Sequence, residues 1–411
     1  MDYYTGFEYL LIDACNQWGG NKLLFGERIQ WAKDNLDTLE SLVNDADTPA
    51  LYLKACQAIR KAQQGIPTGH LVGMDACCSG IQLMSVLTGC HTGAMSTGLV
   101  DPNKRADAYK ECTDGMATFL GTGFEISRDN AKRALMTSFY GSTAVPKELF
   151  GEDTIELDAF YKAAEATAPG AWMLLQELLG SWQPWATKHE WQMPDGFNVV
   201  CKVMQTTEIR VEVDELDHAS FTYAWEENKG SKTGLSLAAN VTHSVDAYIA
   251  RTLHRRLNYD EKVLAYASKL IEIELLERSL GVAVEGIEDA SVKYYVDLYE
   301  ANKMADVVIL PYLTAESIWM VSDTQLKGLN HICSMMEKYK PFELISIHDD
   351  FKCLANNVNH LRFMYKEVLA ELAESEVLSN IMRTINHCQG TYKKLSQNLG
   401  EVIRGSNYAL T

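Results

Sequence analysis

The sequence predicts a helix-rich α/β (α+β) fold built around a small antiparallel sheet. Three observations carry this prediction. Long stretches repeat apolar residues at helical spacing. Two short apolar segments, Gly69–Met74 and Phe342–Ile347, lead into acids. Between them, the turn residues Pro194-Asp195-Gly196 separate two strand-like segments. With 411 residues, 47% of them hydrophobic, the chain is too long for one simple core and long enough for two or three lobes.

The elements follow in order. From Gly26 to about Asn44, Ile29, Trp31, Ala32, Leu36, Leu39, Leu42 and Val43 recur as one helical face, and a second helix is predicted from Ala50 to Gln64. Gly69–Met74 is Gly-bounded and apolar, a buried strand that delivers Asp75, after which Ser79-Gly80 turns into a helix through Val86. Asp101 caps a predicted helix that runs to about Leu120. Ser127–Tyr140 forms another, in which Arg128 and Lys132 lie four apart and share a face, and Gly141 ends it. A long helix is predicted from Thr154 to Leu179, then a hairpin around Pro194-Asp195-Gly196 and an exposed strand at Glu208–Val213. Residues 255–326 read as a mostly helical insert, with an amphipathic segment at Glu261–Glu277. The strand at 342–347 and its return at Phe351–Leu354 place Asp349 at the bend of a hairpin.

Composition narrows the function classes. The net charge of −18 argues against indiscriminate nucleic-acid binding, because backbone contacts need clustered Lys or Arg, yet it allows a focused basic cleft or a basic partner chain. No run of about 20 uncharged apolar residues occurs and the N-terminal segment is acidic, so an intracellular, soluble, non-membrane protein is expected. The ten cysteines lack metal-ligand spacing and are expected as reduced core or turn thiols.

The chemistry rests on Asp75 and Asp349 together with the basic helix. A lone Asp after an apolar strand is usually a cap or turn residue. Two such acids, however, can hold a pair of divalent ions for in-line phosphoryl displacement, and Arg128 and Lys132 then suit the charge on the phosphates. Asp349 and Asp350 are successive strand residues that face opposite ways, so only one of them can share a metal with Asp75. Tyr140 suits either core packing or stacking on a base.

Three segments, Asp75-Ala76-Cys77-Cys78-Ser79-Gly80-Ile81-Gln82, Arg128 to Gly141, and Ile347-His348-Asp349-Asp350-Phe351, resemble the three polymerase motifs of the single-subunit phage and mitochondrial DNA-directed RNA polymerases, in the same order. Asn21–Arg28, Pro194–Phe197, Asn240–Ser244 and Asn398–Ile403 are similar to further segments of that family. The resemblance spans about residue 8 to 411, apart from the insert. It implies a right-hand fold: 1–68 a partner-facing helical segment leading into the palm; 69–100 palm with the first acid; 101–185 fingers with the nucleotide-binding helix; 186–254 a hairpin and hybrid-contacting region; 255–326 the insert; 327–411 palm with the second acid and the C-terminal segment.

The resemblance also implies roles. Asp75 and Asp349 are expected to bind two Mg2+ ions, with the carbonyl of Ala76 as a further ligand and Asp349 chosen over Asp350 on family grounds. Lys22, Arg128 and Lys132 grip the triphosphate, Tyr109 lines the nucleotide pocket, and Tyr140 selects ribose. His243 lies against the newly formed hybrid pair, and His348 supports the catalytic strand. The family's promoter-binding N-terminal region would precede Met1, so the chain resembles the larger subunit of the split, two-chain polymerases of enquatro-type phages. A smaller subunit is then an expected partner, beside DNA template, RNA transcript, ribonucleoside triphosphates and a single-stranded-DNA-binding recruitment factor, in the cytoplasm of an infected bacterium. The chain departs from the family pattern at Leu83, Asp350 and Lys352, and the region expected to read promoters, about 206–232, is acid-rich. A right-hand DNA polymerase is the alternative, disfavoured by Gln82 where an acid would exclude ribose. A catalytically silent nucleic-acid-binding subunit is the other.

Overall fold

A computed structural model describes residues 1–121, 126–232, 236–282 and 285–411. The spans 101–185, 186–254 and 255–326 each include a few residues outside that set. Helices α1 (Gly6–Cys15), α2 (Phe25–Asp34) and α3 (Pro49–Gln63) precede strand β1 (Leu71–Asp75). Helices α4 (Ser79–Thr88), α5 (His91–Ser96), α6 (Ala108–Leu120), α7 (Arg128–Ser138), α8 (Ala144–Phe150), α9 (Ile155–Thr167) and α10 (Pro169–Gly180) follow. Two hairpins come next, β2 (Lys188–Gln192) with β3 (Asn198–Lys202) and β4 (Met204–Val213) with β5 (Ala219–Asn228). The chain then runs through α11 (Leu237–Leu257), α12 (Glu261–Ser279), α13 (Ala290–Asn302) and α14 (Asp323–Met336) to β6 (Ile345–Ile347) and β7 (Asp350–Leu354). It closes with α15 (Val358–Glu374), α16 (Val377–Asn386) and α17 (Leu399–Gly405). The helix-rich α/β class with small antiparallel sheets is thus the observed one.

The sheet that matters for function has the order β1-β7-β6, all antiparallel, with Leu71 opposite Leu354 and Asp75 opposite Asp350. Alternation explains its two faces: Val72, Met74, Phe351 and Cys353 are buried, while Gly73, Asp75, Asp350 and Lys352 share the open face. Phe351 packs against Tyr365 of α15 with ring centroids 5.6 Å apart. Helix α15 in turn packs on α4, α11 and α17, so one helix supports the strand ends from behind. Burying the four sheet side chains against these helices contributes roughly 1.5–3 kcal/mol for each large one.

Several expectations change. The helix expected over Gly26–Asn44 stops at Asp34, where the Asn35 side-chain amide bonds back to the Trp31 carbonyl at 2.8 Å, and a 3₁₀ turn covers Leu39–Asp45. Asp101 is not a helix cap: its carboxylate accepts from Asn103 N–H at 2.8 Å in a local turn, and Asp107 caps α6 instead. The predicted Thr154–Leu179 helix is two helices broken at Ala168, because Pro169 has no N–H to continue the ladder and serves as the start of α10. The strand expected from Phe342 is confined to Ile345–Ile347. Helix α11 crosses the expected 254/255 boundary, and Leu264, Ala267, Ile271 and Val292 of the expected insert join the main hydrophobic cluster. All ten cysteines are free thiols, seven of them buried.

Candidate active site

The site begins at the ends of β1 and β7. Strand β1 delivers Asp75 and continues one residue further: Ala76 N–H donates to the Asp349 carbonyl at 3.2 Å, which draws the β6–β7 turn against the first acid. His348 in that turn takes a left-handed conformation, φ 54°, which lets a two-residue bend place Asp349 beside the sheet rather than within it. Thr411 clamps the other side of Asp75 with reciprocal backbone bonds of 3.2 and 2.9 Å. Asp75 and Asp349 therefore line one cavity of about 310 Å³. Asp350, although opposite Asp75 in the ladder, is paired to Lys352 at 3.0 Å and does not line the cavity.

The facing wall is α7. Lys132, Leu135 and Met136 line the cavity from one face of the helix, and Phe139 and Tyr140 join them from the turn that follows, since α7 ends at Ser138 and not at the expected Tyr140. Tyr140 reaches the first turn of α4 because Gly80 leaves room there: a Cβ on Gly80 would lie 2.8 Å from the Tyr140 hydroxyl. Its ring also packs on His243 of α11, centroids 4.9 Å apart. Cys78 enters α4 at φ 56°, a conformation that a non-glycine residue adopts only under tertiary constraint. The ring of Tyr109 on α6 lies 5.6 Å from both the Arg128 guanidinium and the Lys132 ammonium.

Of the residues singled out in the sequence, Lys22, Asp75, Ala76, Tyr109, Lys132, Tyr140 and Asp349 all line this cavity. Arg128 stands behind it, held by Asp107 at 2.7 Å. His243 touches the site through Tyr140, and His348 sits exposed in the turn before Asp349. Gln82 lies outside the cavity, buried and fully engaged with Thr97, Ala409 and Tyr365. Leu83 is ordinary core.

Sequence reasoning missed Arg105 and Asp107, which line the cavity from the loop before α6, and it missed Asp246. Asp246 lies one turn beyond His243 on α11, a spacing of three that could have flagged it. Burial and the nearby Asp349 push its carboxyl up to about 6, with His348 pulling the other way.

The electrostatics are those of crowded acids facing cations. Burial, then Asp349 and Asp350, push the Asp75 carboxyl up to about 7, and Lys22 opposes this. Asp75 still reaches solvent through the cavity mouth, which screens part of the repulsion. Burial, then Arg105, lowers the Lys22 ammonium. Carboxylate oxygens crowded in this way suit a hard divalent ion such as Mg2+, which would relieve the repulsion that raises Asp75. A different oxygen- and nitrogen-bearing group, Glu212, Asp214 and His218, gathers at the exposed tip of the β4–β5 hairpin, far along the chain from these acids. Among the described residues, no helix is long and apolar enough to cross a membrane.

Residues 4–168 match the family described as DNA-dependent RNA polymerase, a span that holds Lys22, Asp75, Tyr109, Arg128, Lys132 and Tyr140 but ends before Asp349. The DNA-directed RNA polymerase of Pseudomonas phage phiKMV is 23% identical over 346 residues, covering 69% of this chain and 41% of that protein. The mitochondrial DNA-directed RNA polymerase of Neurospora crassa is 27% identical over 168 residues, 34% of this chain and 12% of that one. The chain therefore spans well under two thirds of the relatives it matches. By these matches the chain is similar to DNA-directed RNA polymerases of a phage and of a mitochondrion.

Proposed function

We propose that this chain carries the catalytic centre of a DNA-directed RNA polymerase, adding ribonucleotides to a transcript on a DNA template by two-metal nucleotidyl transfer. One observation carries the reading: Asp75 and Asp349, remote in sequence, line one cavity whose opposite wall supplies Lys132 and Tyr140. Asp75 and Asp349, with the Ala76 carbonyl, would hold the Mg2+ pair. Bound there, Mg2+ lowers the pKa of the attacking 3′ hydroxyl and neutralises charge on the phosphates.

The remaining work belongs to side chains. Lys132 and Lys22 neutralise the triphosphate, and Arg128 joins them by exchanging Asp107 for phosphate oxygens. Tyr140, buttressed by His243 and given space by Gly80, presents its hydroxyl to the sugar and its ring to the base pair. Tyr109 packs against both cations and lines the pocket beside Lys132. His243 and His348 face the hybrid. Palm and fingers follow the boundaries given above, apart from the one at 254/255 that α11 crosses, and the chain transcribes phage genes in the cytoplasm of the infected host. A smaller subunit, as in the enquatro-type two-chain enzymes, and a single-stranded-DNA-binding factor complete the machine.

The test is RNA synthesis on a single-stranded DNA template with Mg2+, using the chain together with any polypeptide that copurifies from its native source. Incorporation of ribonucleotides is expected, and Asp349→Asn should lower it by about a thousandfold while template binding stays near normal. A preference for deoxyribonucleotides, or full activity in Asp349→Asn, would overturn the reading.

A further inference from the structure

The loop that carries Lys22 has an unusual support. Five residues, Asn16–Gly20, wind as a π-helix after α1, with Gly19 at φ 123°, before the chain turns through Asn21, Lys22 and Leu23 into α2. Arg28 of α2 reaches back under this turn. Its Nε donates to the Leu23 carbonyl at 2.9 Å, its Nη2 to the Asn21 carbonyl at 3.0 Å, and its Nη1 to Asn16 Oδ1 at 2.9 Å. The two carbonyls belong to the residues immediately before and after Lys22, so one planar guanidinium holds the backbone on both sides of it. Arg28 is wholly buried, with the Phe25 ring 4.9 Å from its Cζ.

A buried cation is normally matched to a carboxylate. Among the described residues Arg28 has none: all three of its acceptors are neutral. Burial, then Arg105 on the cavity wall, lowers its guanidinium to about 10. Such an arrangement is costly for stability alone, since a neutral side chain could fill the same space. What only arginine supplies is a rigid fork of donors matched to three fixed acceptors.

We propose that Arg28 is a positioning residue that holds Lys22 at the cavity wall for contact with the incoming triphosphate. The inference rests on the polymerase reading above and adds to it the element that orders the nucleotide-gripping loop before substrate arrives. Preordering removes the entropy of arranging a flexible lysine at binding, so loss of the clamp should weaken nucleotide use without altering the chemical step.

Arg28→Lys tests this, because it keeps charge and most of the volume while losing the fork; Arg28→Met removes both. Thermal unfolding and circular dichroism establish that each variant is folded, and Arg28→Lys alone carries the test if Arg28→Met does not fold. Binding of magnesium-ATP by calorimetry and the KM for ribonucleotides in RNA synthesis are then compared with Lys22→Ala and Lys132→Ala. The expected result is a Kd and KM raised about tenfold in Arg28→Lys, as in Lys22→Ala, with kcat changed less than about twofold. The double variant Lys22→Ala/Arg28→Lys should be no worse than Lys22→Ala, since both remove the same contact. An unchanged KM in Arg28→Lys alongside a raised one in Lys22→Ala overturns the proposal, as does a multiplicative double variant. Failure of the underlying reading looks different: Lys132→Ala then also leaves nucleotide affinity unchanged, and the inference falls with it.

Discussion

The cavity between β1, β7 and α7 and the β4–β5 hairpin handle charge in opposite ways. In the cavity, acids cluster on one wall, and Lys22, Arg105 and Lys132 line the space they face. In the hairpin, seven acids, Glu208, Glu212, Asp214, Glu215, Asp217, Glu226 and Glu227, accompany Arg210 and Lys229, and both cations are already engaged, with Ser220 and with Glu227. Register puts Ile209 opposite Tyr223 and Val211 opposite Phe221, so one hairpin face is largely apolar, with Glu227 at its base, while Glu208, Glu212 and Glu226 share the other face and Asp214, Glu215 and Asp217 the tip. The difference teaches that position, not net charge, decides where a polyanion can go. A chain of net charge −18 still gathers Lys22, Arg105 and Lys132 around one 310 Å³ space, while its β4–β5 hairpin carries mainly acids.

The largest effect that could break this contrast lies in the acids. Asp75→Asn should reduce synthesis by about a thousandfold in a single-turnover assay, because the lost contribution is metal-held charge in the transition state. A smaller effect is expected from Lys132→Ala: KM for ribonucleotides should rise about 10- to 100-fold, the worth of one charge-assisted contact, with template affinity unchanged. Gly80→Ala should come next. Its Cβ displaces the Tyr140 hydroxyl, so discrimination between ribo- and deoxyribonucleotides should relax by about tenfold, as it should in Tyr140→Phe, while melting shifts little. Competition assays read this directly, and unchanged discrimination in both variants would remove Tyr140 from sugar selection. The smallest effect concerns the hairpin. Glu208→Lys with Glu226→Lys should steepen the salt dependence of duplex-DNA binding by about one unit of log-log slope per new phosphate contact, and should leave synthesis on single-stranded template within about twofold. A large gain in synthesis would mean that the hairpin already touches template.

Much of this arrangement was legible because its determinants are local. A Gly-bounded apolar run ending in Asp75, a hairpin with Asp349 at its bend, and cations four apart on one helix each declare themselves within a dozen residues. Other parts depend on distant chain. Nothing near Asp75 indicates that Thr411 clamps its backbone, and nothing near Arg128 indicates that Asp107 holds it. The break at Ala168 was hidden because residues on both sides favour helix, so the apolar pattern ran through a proline that begins a new helix. Asp101 and Asp107 both suit a cap by composition, and only the tertiary path of residues 101–107 decides between them. Asp350 shows the limit of alternation as a guide: it shares the open face with Asp75, but its pairing with Lys352 and the turn at His348 leave Asp349 at the cavity.

The central claim is that Asp75 and Asp349 hold divalent ions together, and Mn2+ binding followed by electron paramagnetic resonance tests it most directly. Titrations of the native chain, Asp75→Asn, Asp349→Asn and, as a control for the hairpin-tip cluster, Asp214→Asn should be run side by side. The account predicts that the two cavity variants lose the same tight binding while Asp214→Asn retains it. Undiminished tight binding in both cavity variants would contradict it.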